Sequence, residues 1–350
     1  MPNILNKPSE ETHVRIAEAL EKMAIGMIEA DSTGSPGSKF IVQGNRDAGF
    51  LGFVPAANIF TGTELATLCG ITAGTAINTD VAWIKYIYKG KIRFTPLRTL
   101  RHSITWDAIY NAACVHGNGT IGTLPPAGRM GTGLTIDGAD NSINTTTQHF
   151  LSGTDSSDTV AAVGDSITLA GLTNAANNGT ATVVSITNTK IVVSGKTLVT
   201  ETGKATGKIY KTSNGVVQNK VISKSGINFK VMLMEGFEND PLASAAADRD
   251  AIGSEWNKII LPLHEKAKLQ NWSYPAYAGQ TEYWGTNLSD FDLMTLYTLG
   301  SGSYSWTKEV QDATSWRRGI RGYLGASGAF WNHSWVVSSS FGWRPVLEVL

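Results

Sequence analysis

The chain has 350 residues, 42% hydrophobic and 17% charged, and its 29 basic residues balance its 29 acidic ones. That length suits two domains, or one domain carrying an insertion, and the apolar fraction suffices for a packed core. Zero net charge excludes the clustered cation excess with which nucleic-acid binders displace phosphate counterions. No stretch reaches the roughly 20 apolar residues that span a bilayer, and the first thirty residues carry charges where a signal peptide needs an apolar run. The two cysteines, Cys69 and Cys114, are too few for a disulfide framework or a zinc site. They read as buried free thiols, with a single disulfide between them left open.

Residues 9–30 read as an amphipathic helix. Ser9 is the N-cap, Glu10 and Glu11 suit the positive helix end, and Ile16, Leu20, Met23 and Met27 form the seam. A seam of under two heptads fits docking on its own domain and helping a trimer assemble equally well. A Gly/Ser-rich break follows at 31–38. Thr61 or Thr63 caps a short helix that ends at Gly70. Val81–Tyr88 is a strand that turns through Lys89-Gly90-Lys91 into Ile92–Phe94, and Trp106 opens another helix. Composition then changes near residue 150. From Ser152 to Lys211 there is no Trp, Cys or Met, and Tyr210 is the only Phe, Tyr or Trp. Alternating β-branched runs at 166–169, 180–186, 190–193 and 208–210, with turns at Gly164-Asp165 and Asn178-Gly179, predict a small all-β module.

Beyond Val221 the aromatics return, and eight of the ten tryptophans lie between Trp256 and Trp343. That density suggests irregular segments held by large side chains. Trp306, Trp316 and Trp343 read as core. Arg318-Gly-Ile-Arg-Gly322 sets two guanidinium groups between glycines that permit close backbone approach. The stretch 323–341 mixes aromatic and small polar residues in the manner of a contact surface. Within it Trp331, His333 and Trp335 fit surface and core equally.

Two sets of residues carry a resemblance. Val163–Thr168, Asn178–Val183, Thr187–Val193 and Leu198–Glu201 resemble a small β-domain that recurs in phage virion proteins. Around it, Phe229–Leu233, Gly253–Asn257, Tyr304–Thr307, Arg318–Gly322 and Gly342–Leu347 resemble, in order, phage tail-fibre and adhesin proteins. Those proteins have a C-type-lectin-like fold, the group that includes formylglycine-generating-enzyme-like domains and tropism determinants. Ile4–Pro8 with Thr12-His13 resembles the start of prophage tail proteins.

The resemblance implies an α+β fold in three parts. Residues 1–38 form a docking or oligomerisation helix and linker, 39–150 plus 212–350 a C-type-lectin-like domain, and 151–211 an inserted all-β module. It implies a virion protein made in the host cytoplasm, a homotrimer among other virion proteins, that binds a host-surface glycan or protein. The binding residues would be Tyr323, Phe330, Trp331, Asn332, His333 and Trp335. The structural motif would comprise Trp256, Trp306, Arg318, Arg321, Trp343 and Arg344. The alternative role is a capsid or tail decoration protein that touches only neighbouring subunits.

Catalysis is not expected, nor a cofactor or metal. Gly164-Asp-Ser-Ile-Thr168 mimics an esterase nucleophile block, but an alternating β-pattern follows Ser166 and the Asp-x-x-His partner is missing, so it reads as a turn into a strand. No cysteine follows Cys114, so the C-terminal cysteine pair used by formylglycine-generating enzymes is missing. The calcium tripeptides of sugar-binding lectins are absent, and Asp137–Asn141 lacks the Glu that completes a calcium loop. The six histidines show no metal-ligand spacing. Glu235, Glu238 and Asp240 read as solvated loop carboxylates rather than a glycosidase pair.

Overall fold

A computed structural model describes residues 29–122, 134–145, 163–187, 189–204, 207–212, 215–242, 253–268, 282–294, 302–311, 317–334 and 336–350. The fold is mostly β, with 38% strand and 15% helix, arranged in three sheets, and this corrects the expected α+β, C-type-lectin-like architecture. Among the described residues the α-helices are short, Gly62–Cys69 being eight residues long. The physical reason is composition: aromatic and β-branched side chains fit a pleated, half-buried surface, and glycines break the chain before helices can extend. The expected N-terminal helix falls almost wholly outside the described residues.

The first sheet has seven antiparallel strands in the order Gln43–Gly44, Ala48–Val54, Trp83–Tyr88, Lys91–Pro96, Pro345–Val349, Ile227–Leu233, Val221–Lys224. Lys89 and Gly90 both take positive φ, 49° and 74°, which gives the two-residue turn whose twist matches a hairpin. Every residue of Trp83–Tyr88 is buried. The last strand closes no edge; it lies in the middle, between strands 91–96 and 227–233, so the chain's two flanking regions are woven into one sheet. Helix Gly62–Cys69 begins where the Thr61 hydroxyl accepts the Glu64 amide and stops at Gly70 in the left-handed conformation. Helix Trp106–Asn111 is capped in the same way by Thr105.

The second sheet runs Glu201–Lys204, Leu134–Asp137, Ser142–Asn144, Lys190–Ser194, Gly179–Ile186, Ser166–Ala170, Lys208–Thr212. Two of its strands precede residue 150. Its outermost strands are consecutive in sequence and joined by only residues 205–207, a reach of about 14 Å, so the sheet curls back towards closure. Ile136, Ile143, Leu169, Val183, Ile191 and Val193 belong to a core of its own, separate from the main one. Asp137–Asn141 is the hairpin turn in this sheet, and Ser166 opens a strand paired with residues 179–182.

Entry and exit of this module run side by side. Gly119 donates to the Gln218 carbonyl at 2.9 Å and Gln218 to that of Thr120 at 2.8 Å. The buried Gln218 amide is itself saturated: its oxygen accepts the Val115 amide, and its nitrogen donates to the Tyr110 and Val216 carbonyls. A buried side-chain amide with every partner in place fixes a junction more sharply than apolar contact does.

The third sheet is ordered Ala329–His333, Arg317–Arg321, Tyr304–Val310, Phe341–Trp343, Arg101–His102, Thr75–Ala76. Among the described residues its one parallel pairing joins Tyr304–Val310 to Phe341–Trp343. Ala329–His333 is an edge strand, and all five of its residues are half-buried.

Candidate functional site

Beneath this edge, tryptophans and arginines alternate. Trp256, Trp306, Trp343, Arg318, Arg321 and Arg344 are all buried. The indole N–H groups of Trp83, Trp106, Trp256 and Trp306 donate to the carbonyls of Phe60, Thr307, Ala326 and Ile104 at 2.8–2.9 Å. Three of these bonds, to Phe60, Ala326 and Ile104, hold irregular segments, and the fourth is to Thr307 within strand Tyr304–Val310. Guanidinium groups lie over the rings: Arg318 is 4.4 Å from the Trp106 centroid, and Arg344 and Arg321 are 5.2 and 5.6 Å from Trp256. Burial lowers the guanidinium pKa of Arg318 to about 10 and that of Arg344 to about 9, so both stay charged at neutral pH. Arg321 also donates to the Gly236 carbonyl and to Asn257 Oδ1, at 3.1 and 2.7 Å. The two glycines of the 318–322 motif admit close neighbours. A Cβ on Gly319 would lie 2.5 Å from the Phe237 ring, and one on Gly322, at φ +93°, would lie 2.6 Å from Met294.

On this framework sits a row of aromatic rings running from core to edge. Trp306 packs on Phe341 at 5.1 Å, Phe341 on Tyr304 at 6.0 Å, and Tyr304 on Tyr323 at 5.2 Å. Tyr323 stacks on Phe330 at 4.9 Å and 19°, and Phe330 on Trp331 at 6.3 Å and 11°. The inner rings are buried, while Tyr323, Phe330 and Trp331 are half-buried. The loop that presents Tyr323 is fixed from behind. Asp290 Oδ1 accepts the Ala326 amide at 2.6 Å and pairs with His264 Nε2 at 2.9 Å, and the Trp256 indole holds the Ala326 carbonyl. Gly328 is obligatory here, since a Cβ would fall 1.6 Å from the Tyr323 carbonyl oxygen.

The structure thus brings Tyr323, Phe330 and Trp331 together and places Asn332 and His333 next along the same strand. The Asn332 side-chain oxygen accepts the His333 amide. Trp335 and Trp316 lie outside the described residues. The row also includes Phe341, from the stretch expected to form a contact surface, and Tyr304, which was not assigned to one. The available signal was the period-two pair Tyr304 and Trp306, which puts both rings on one strand face.

A second correction concerns Glu235, expected to be solvated, whereas Glu238 and Asp240 are exposed as expected. Glu235 accepts from Tyr88, Lys89 and Lys308 at 2.8–2.9 Å. Burial alone would raise its pKa, but Lys308 and Lys89 reverse this and hold it at about 2. Asp240 accepts the Val310 amide at 3.0 Å. Cys69 and Cys114 are buried free thiols in contact with each other.

Among the described residues no group of His, Cys, Asp and Glu is placed to hold a metal ion, and no helix is long and apolar enough to cross a membrane. No protein-family model matches the chain, and neither a curated protein nor a solved structure matches it.

Proposed function

We propose that this chain is a structural protein of a bacteriophage particle, a tail-fibre or receptor-binding component that contacts a host-surface ligand through the edge of its third sheet. The observation that carries the reading is the stacked row Tyr323–Phe330–Trp331 on an edge strand, backed by a buried Trp–Arg framework. Rings already stacked lose little entropy on binding, and flat half-exposed faces offer large contact area. Asn332 and His333 supply polar groups beside them. A rigid aromatic platform of this kind serves binding rather than bond-breaking, and many copies on one particle would multiply a weak contact into firm attachment. The sequence resemblance to virion proteins is the support for placing it on a phage.

The test is adsorption interference. Host cells incubated with the purified protein should take up fewer phage in a dose-dependent manner. Trp331→Ala should lose the blocking while its thermal transition moves little, whereas the buried Trp306→Ala should cost about 3–5 kcal/mol of stability. Full adsorption in the presence of a folded, assembled protein would turn the reading to a decoration role among neighbouring subunits.

A further inference from the structure

Behind the third sheet, the segment 235–242 is laid onto strand Tyr304–Val310 by an unusual set of contacts. Glu309 is 1% exposed, and both its carboxyl oxygens face one donor, the Gly236 amide, at 3.1 and 3.2 Å. The neighbouring bonds run from the Val310 amide to Asp240 Oδ1 and from the Leu242 amide to the Val310 carbonyl, both 3.0 Å. Arg321, from the adjacent strand, holds the Gly236 carbonyl. The seat is cut to backbone size: a Cβ on Gly236 would fall 2.4 Å from the Thr307 methyl carbon.

We propose that Glu309 is a proton-operated latch, which as a neutral acid keeps segment 235–242 seated on the sheet and as a carboxylate releases it. The Gly236 amide and the nearby Thr307 hydroxyl are too little for a carboxylate removed from water, whereas one donor suffices for the carbonyl oxygen of a neutral acid. The surrounding charges leave that balance in place. Lys308, next on the strand, favours the carboxylate, but its ammonium is bound to Glu235 at 2.8 Å. Asp240, on the seated segment, opposes it. Arg318 on the adjacent strand lies over Trp106 and acts on Asp240. His116, beyond, is driven to about 4 by burial and by Lys308 and Arg318, so it is neutral throughout the relevant range. Burial, the largest influence, lifts the Glu309 carboxyl to about 8.

The sign follows. A carboxyl raised on seating contributes stability that is complete below its ordinary range and is lost as pH climbs through the raised value. Between the two values the seated-to-released ratio falls by up to about tenfold per pH unit, and above the raised one it is level.

Hydrogen exchange of the 235–242 amides in the full chain, corrected for intrinsic rates, reads this directly. Protection should fall as pH rises from about 5 to about 8 and level off above that, and Glu309→Gln, which keeps a neutral acceptor, should abolish the fall. An undiminished fall in Glu309→Gln, or a flat wild-type profile, would overturn the latch. Carbon-13 titration of the glutamate carboxyls in the unmutated protein decides independently if that variant does not fold. One carboxyl titrating near the raised value is expected, and all of them titrating in the ordinary acidic range would refute the proposal.

Discussion

Lys85 and Asp31 form an ion pair at 2.6 Å with neither side chain exposed. Asp31 also accepts the Thr33 amide and the Thr33 and Ser35 hydroxyls, so its carboxylate is fully occupied. The pair ties the Gly/Ser-rich segment after residue 30 to a wholly buried strand. Because both charges have left water, the pair's net contribution is modest, but removing one partner strands the other. Asp31→Ala should therefore cost about 3–5 kcal/mol in urea unfolding. Replacing both residues with apolar ones of similar volume, Asp31→Leu with Lys85→Met, should recover most of that loss. A double variant as unstable as the single one would show that the hydroxyl contacts, not the buried charge, dominate.

Secondary elements here are short, and what fixes them is the fit between neighbours. Gly319 sits inside strand Arg317–Arg321, where a glycine ordinarily weakens pairing. It persists because Phe237 and Thr307 Oγ1 each approach to 2.5 Å from where a Cβ would be. Gly319→Ala should thus destabilise by about 1–3 kcal/mol through overpacking, despite better strand propensity. The denaturant slope should stay unchanged, since the exposed surface is the same. A neutral or stabilising effect would mean that Phe237 is free to yield. The edge strand Ala329–His333 follows a different logic. Its five half-buried residues include Phe330 and Trp331, without the lysines or prolines that blunt most exposed edges. That retained adhesiveness is what the proposed contact surface needs.

At the scale of the molecule, one main core and one small core are joined through a stem in which Gly119 and Thr120 pair with Gln218. Chain ends that already touch can be rejoined at little entropic cost. Replacing residues 123–214 with a short Gly/Ser linker should leave the main thermal transition in place and remove a separate one. In the intact chain, Ile191→Ala should lower only the smaller transition. If calorimetry instead shows a single transition that this substitution shifts as a whole, the two cores are thermodynamically one.

Local signals were legible in the sequence wherever the cause is local. The helix from Thr61 to Gly70 follows from a hydroxyl cap and a left-handed glycine, the Lys89-Gly90 turn from two positive φ angles, and strands 166–170, 179–186 and 190–194 from period-two alternation. The tryptophan-rich stretch announced irregular segments held by indoles for the same reason, that a large amphipathic ring needs one partner and much contact. What only the tertiary structure decided depends on long-range pairing. The α+β expectation fails because aromatic-rich runs with no clear period become short strands once partners far along the chain are available. The module's extension to strands 134–137 and 142–144 is set by pairing with 190–194 and 201–204, not by composition near 150. Glu235 and Glu309 look like ordinary surface carboxylates in one dimension. Their burial comes from sheet faces that meet only after folding, because desolvation is a property of the surroundings and not of the residue.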